Sequence, residues 1–185
     1  MPSLFSHPAP ALACAVALGP RVMPLRLTGA AVIASIAPDL DVAGFFLGVR
    51  YAEALGHRGL SHSLACALLI GLVGFLAAPL LKTRRITAFL VLVAMPLSHI
   101  ALDAMTTGGL GVAFFWPFDE ARHFFSWRPI EVSPLNPKKF FTEWGLRVLL
   151  SELRYVWLPC VAVAVTGLVA RRITHRLAAH GKRYT

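Results

Sequence analysis

Residues 63–81, SLACALLIGLVGFLAAPLL, run without a single charged side chain. At about 19 residues the run comes close to the roughly 20 that an α-helix needs to cross about 30 Å of hydrocarbon, and it predicts a membrane-spanning helix. In lipid every backbone N–H and C=O must find a partner inside the protein, and for a run with no alternating pattern a helix is the solution. Composition agrees with this, since 57% of the 185 residues are hydrophobic, 15% are charged and the mean hydropathy is +0.66. That is the balance of an integral membrane protein, not of a water-soluble domain.

After the basic turn Lys82-Thr83-Arg84-Arg85, a second apolar run over 86–105 returns across the membrane and carries His99 and Asp103 in its last turns. A third, near 155–170, ends at Arg171-Arg172. Two shorter pieces, 9–18 and 27–37, flank Gly19-Pro20-Arg21 and predict a helical hairpin, each short for a full crossing. The alternative joins 27–49 into one broken span with PDLD near its middle. The expected architecture is all-α, a polytopic transmembrane bundle of about five segments that include short or half-spans. It forms one domain over 1–170, followed by a basic tail, 171–185. The amino-terminal MPSLFSHPAPALACAVALG lacks the basic region of a secretory signal and is expected to stay in the mature protein. Cys14, Cys66 and Cys160 lie in apolar stretches without CxxC spacing, so they are expected to be small core residues, not a disulfide framework or a thiolate zinc site.

Charge sets the expected orientation. Arg21 and Arg26, then Lys82, Arg84 and Arg85, then Arg171, Arg172, Arg176, Lys182 and Arg183 make ten of the 18 basic residues, and their turns and tail hold none of the nine acids. The positive-inside rule puts them in the cytoplasm and puts 1–8, 39–62 and 104–154 on the outer side. The net charge of +9 and pI near 10.3 are thereby a topology signal. Nucleic-acid binding is not expected, because the bases are distributed by membrane side and form no basic face interleaved with aromatics.

Seven ionisable groups fall at the same, outer end of the apolar segments: His7, Asp39, Asp41, His57, His62, His99 and Asp103. Such groups at membrane depth are costly and by default face an interior where they act. Taken singly, each reads as a hydrogen-bonding residue of a bundle; their coincidence at one face predicts a shared site. His99 and Asp103 are four apart and so share one helical face, the arrangement by which a helix offers two ligands to one ion. Asp39 and Asp41 follow Pro38, expected to end a helix, and their spacing lets both carboxylates turn to a site from a loop. His57 lies in a Gly-flanked loop and His62 opens a helix. Seven N and O ligands exceed the four of a structural zinc and suit two or three divalent ions, zinc or manganese. Multinuclear sites of that kind activate water and clamp phosphoryl oxygens.

Arg58 can grip a phosphate or carboxylate, or equally pair with Asp39 or Asp41. Ser61 and Ser63 lack a GxSxG elbow, and helix N-capping is the expected task for one of them. His123, in an aromatic loop, and His175 and His180, in the basic tail, fall outside the constellation. The loop GGLGVAFFWPFDEARHFFSWRPIEVSPL is dense in interfacial aromatics, and it is expected to lie along the outer surface as a roof over the polar pocket or as a plain anchor.

SIAPDLD, HRGLSHSL, LSHIALDAMTTGG and FFWPF, in this order after an early histidine in SHPAPALA, resemble the LexA-regulated, membrane-bound metal-dependent hydrolase family of bacterial inner membranes. The resemblance runs from about His7 to Arg154, with Ser61 where that family more often has threonine. It implies a metal-dependent hydrolase. The ligand pattern is also distantly similar to zinc phospholipase C, which implies a phosphoester or lipid-linked substrate drawn from the membrane lipids, with Asp39 or Asp41 assisting the attacking water and Arg58 at the catalytic centre. The competing expectation is a transporter or non-enzymatic membrane protein that handles metal ions or protons. The absence of matched halves counts against a transporter.

Overall fold

The computed structural model describes residues 1–134 and 137–181; Lys182 and Arg183 of the basic tail lie outside the described residues. Regular structure among them is helical, with no strand and only two isolated bridges, Thr106 to Ile130 and Val112 to His123. The helices are α1 (Ala9–Leu18), α2 (Leu25–Ile36), α3 (Leu64–Ala77), α4 (Arg85–Ala104), the single turn α5 (Pro137–Phe140), α6 (Glu143–Glu152) and α7 (Leu158–Gly181). A 3-10 segment, Ala37–Leu47, prolongs α2, and a π-helical turn, Leu153–Trp157, fuses α6 to α7. Among the described residues three helices are long and apolar enough to cross a membrane, Leu25–Leu47, Arg85–Ala104 and Glu143–Leu177, and α1 and α3 are shorter.

Two expectations change here. The run 63–81 yields a helix of only 14 residues, about 21 Å at 1.5 Å per residue, because the chain turns beyond Ala77 through Pro79 into Lys82, whose φ is +55°. Pro38 does not end its helix. It sits in the first turn of the 3-10 segment that continues α2, and the Ser35 carbonyl three residues before it is met by His99 Nδ1. The hairpin and the broken span are therefore both present: α2 packs on α1 and then runs on through Asp39 and Asp41.

Small residues let the helices approach. A Cβ on Gly71 would stand 2.1 Å from Val93 Cγ2 and one on Gly74 2.5 Å from Leu92 Cδ1, so α3 and α4 meet at close to backbone distance. Gly167 of α7 lies equally close to Ala17 of α1. Between α1, α2 and α4 the core is built from Ala11, Leu27, Ala31, Ala34, Ala88 and Leu92. Packing of small side chains is the usual cohesion of helices in lipid, where burial from water gives no drive. Leu69, Leu72, Val73 and Leu76 of α3 and Leu158, Val161 and Val165 of α7 face outward, an apolar exterior too extensive for a protein in water.

The basic turns gather at one end. Arg171 donates to the carbonyl of Val16 at 2.7 Å, satisfying the C-terminus of α1, and Arg26 donates to that of Leu80 at 3.0 Å, as cations do for orphaned helix carbonyls. Arg21, Lys82 and Arg84 line one cavity of about 600 Å³. α4 starts beside it and carries His99 and Asp103 to the other end, about 27 Å away along its axis.

Candidate metal centre

Four structural units deliver the polar side chains to one point. α4 presents His99 and Asp103 from one face, and both are fully buried. The 3-10 segment turns Asp39 inward. The short 3-10 turn Leu60–His62 supplies His62, and Ser63 then caps α3 by accepting from the Cys66 N–H at 3.1 Å. His7, just ahead of α1, stacks on His99 with ring centroids 3.7 Å apart.

The donors face a common centre. His62 Nε2 is 3.0 Å from His99 Nε2 and 3.1 Å from Asp103 Oδ2. Asp39 Oδ1 is 3.5 Å from His99 Nε2 and 3.8 Å from His62 Nε2, and Asp103 Oδ2 is 3.8 Å from His99 Nε2. Donors about 2.0–2.1 Å from a tetrahedral zinc stand about 3.3 Å from one another, so Asp39, His62, His99 and Asp103 are spaced as a metal cage. His7 Nε2 lies 3.6 Å from Asp39 and 3.9 Å from Asp103. Neither carboxylate oxygen of Asp39 or Asp103, and neither ring nitrogen of His7, meets a hydrogen-bonding partner, although all are buried. The Arg58 guanidinium and the Met1 amino group, 3.1 and 3.9 Å away, stand against Asp103, and a second buried carboxylate beside it is costly without a further cation. The residues present fit a divalent ion.

A second layer orients the first. His99 directs Nδ1 at the Ser35 carbonyl, 2.7 Å away, which leaves Nε2 as the free lone pair. His62 Nδ1 lies 3.1 Å from Asp41 Oδ2, so its Nε2 faces the centre, an aspartate–histidine arrangement typical of metal ligands. Asp41 also contacts His57 Nδ1 at 2.7 Å, accepts from the Ser61 hydroxyl at 2.5 Å and accepts from the Arg58 N–H at 3.1 Å. These are hydrogen-bond lengths, and Asp41, His57 and His62 also form a second group whose ligand atoms lie within 4.8 Å of one another. The seven predicted groups thus fall into five that face this centre, His7, Asp39, His62, His99 and Asp103, and two, Asp41 and His57, that gather with His62 on its other side.

Arg58 pairs with neither Asp39 nor Asp41 through its side chain. Its guanidinium is buried 3.1 Å from Asp103 Oδ2 and donates to Thr106 Oγ1 and the Gly108 carbonyl, both at 3.0 Å. The reason is backbone: Arg58 has φ +67°, which swings its side chain toward the end of α4. Burial holds His7 far below the usual imidazole range, near 3, so it is neutral and able to ligate. Burial also opposes charge on His62, but the carboxylates of Asp103 and Asp41 beside it outweigh it and raise that ring to about 9.

Sequence reasoning passed over Glu152. Buried at the end of α6, where the π-helical turn joins it to α7, Glu152 accepts from the Ser3 hydroxyl at 2.6 Å, the Ser6 hydroxyl at 2.7 Å and the Ser3 N–H. It thereby ties the segment carrying His7 to the helix, and Trp157 Nε1 donates to Ser6 Oγ at 3.0 Å. Its signal was a lone acid in LLSELRYVW, obscured because 104–154 reads as one outer segment. The aromatic loop lies over the histidine loop: Arg122 donates to the carbonyls of His57, Tyr51 and Glu53, and the Ala113 N–H donates to the Arg58 carbonyl. His123 pairs with Val112 in that loop, away from the centre.

Fold and site together define a multi-helix membrane protein with a buried histidine–aspartate cluster at one end. The family model of the YdjM inner membrane proteins matches residues 1–178, and the chain belongs to that family. It is 39% identical over 160 residues to the inner membrane protein YbcI of Escherichia coli (strain K12), covering 86% of this chain and 92% of that protein. No solved structure matches it significantly.

Proposed function

We propose that this chain is a membrane-embedded, metal-dependent hydrolase that acts on a phosphoester or lipid-linked substrate at the outer face of the inner membrane. The observation that carries the reading is the cage of Asp39, His62, His99 and Asp103, with His7 beside it, whose buried carboxylate oxygens lack hydrogen-bond partners among the described residues. Zinc fits these N and O donors and manganese is the second choice. Lewis-acid polarisation of a phosphoryl oxygen and activation of water are the chemistry such an ion supplies. The five centre-facing residues hold the ion, Asp41 and the Ser35 carbonyl fix the two imidazoles, and Arg58 holds Asp103 in place. About five crossing or half-crossing segments, an outer amino terminus and a cytoplasmic tail follow from the charge distribution.

The test is hydrolysis of a panel of phosphate esters by the purified protein before and after chelation, with zinc or manganese added back. Chelator-sensitive activity restored by metal is the expected result. Bound metal without hydrolysis of any ester would instead make this a metal-handling membrane protein.

A further inference from the structure

Beside the centre, the same end of the molecule carries two cavities that share a wall. One, of about 350 Å³, is lined by Tyr51, His57, Gly109, Lys139 and Trp144 together with Val132. The other, of about 370 Å³, is lined by Leu4, Phe5, Val42, Phe140 and Phe141. Met1, Ser133 and Pro134 line both, so they are lobes of one groove. The lobes differ in chemistry. No acidic side chain lines the first, whereas Lys139 does, and the Arg58 guanidinium stands behind Gly109, where a Cβ would come within 2.8 Å of its Nη1. His57 is 1% exposed, its Nδ1 is held by Asp41 and its Nε2 has no partner. The second lobe is apolar, and Phe5 and Phe141 at its mouth are 69% and 88% exposed.

We propose that this groove binds one lipid bearing an anionic phosphate headgroup, with the phosphate in the lobe of His57 and Lys139 and a hydrocarbon chain in the lobe of Phe5 and Phe141. The shared wall carries the geometry, because an amphipathic molecule can set a charged head against Lys139 and His57 of the first lobe and a chain against the apolar second lobe. His57 places the headgroup next to the centre: Asp41 links it to His62, and Arg58 behind Gly109 is paired with Asp103. This deepens the hydrolase reading and rests on it for the identity of the headgroup as substrate.

The experiment is calorimetric titration of the metal-loaded protein, in a neutral detergent, with a non-hydrolysable phosphonate analogue of dioctanoyl phosphatidic acid. Dioctanoylglycerol and inorganic phosphate are titrated in parallel. The analogue should bind at one per chain, with each half-molecule at least roughly tenfold weaker. Lys139→Ala should weaken it about fivefold, the effect of one lysine beside an anionic headgroup, and should leave dioctanoylglycerol unaffected. Phe141→Ser should weaken both chain-bearing ligands and spare phosphate. Both changes are at exposed positions, and unchanged melting and metal content would show that the variants are folded. Equal affinity for the analogue and dioctanoylglycerol, inorganic phosphate as tight as the analogue, or no effect of either variant would each overturn the proposal. Binding is read without turnover, so an intact groove in a protein that hydrolyses nothing would sink the hydrolase reading alone.

Discussion

Asp41 and Asp103 look alike in the sequence, both being aspartates near membrane-embedded histidines, but the structure gives them different surroundings. Asp103 faces the centre with both oxygens, and Asp41 holds His57 and His62 from behind. Asp103→Ala should therefore abolish metal binding. Asp41→Asn keeps one acceptor oxygen for His62 and should weaken metal affinity about 10–100-fold, the usual loss for a group that orients a ligand. At saturating zinc the stoichiometry should be unchanged. Metal titration of the two variants reads this difference, and identical losses would mean that Asp41 is itself a ligand. The cluster's membership was legible in the residues because ionisable groups stand out in a 57% hydrophobic chain. The layering was not, because it depends on which nitrogen of each imidazole faces in, and on the positive φ of Arg58 that sends its guanidinium to Asp103.

The elements position these residues through contacts that spacing does not reveal. α4 reads plainly as a helix with His99 and Asp103 on one face. The path past Pro38 was legible only as the alternative to the hairpin, and the early end of α3 was not legible, since an apolar run shows where lipid can be tolerated, not where a helix stops. The α3–α4 contact is the most exacting. Replacing Gly71 by valine would drive a side chain into Val93 and should cost about 1–3 kcal/mol by overpacking, measurable as a lower thermal-aggregation temperature. A variant as stable as the parent would show that these helices are not closely apposed. The Glu152 anchor gives a second test. Glu152→Ala strands the Ser3 and Ser6 hydroxyls in a buried site at about 1–3 kcal/mol, and should free residues 1–8 for proteolysis. It should also weaken metal binding less than loss of His99 does, because four centre-facing donors remain. Unchanged protease resistance would count against the tie.

At the scale of the whole molecule, the basic turns sit at one end of α4 and the buried cluster at the other. The positive-inside rule turns that polarity into an orientation. Reporter fusions at Thr83 should read cytoplasmic and fusions near Arg122 external. An external Thr83 would move the site to the cytoplasmic face and with it the direction from which substrate arrives. The central claim, that the cluster is a metal centre and not a set of hydrogen-bonding core residues, is tested most directly by elemental analysis of the purified protein. It compares the parent with His99→Ala and Ile100→Val. Ile100 is buried next to His99 but packs on Ala67, Ala104 and Val112, away from the centre, and its trimming costs about 0.5–1.5 kcal/mol. About one equivalent or more of zinc or manganese in the parent and in Ile100→Val, with little or none in folded His99→Ala, is the predicted result. No metal in the parent after loading, or equal metal in parent and His99→Ala, would contradict it.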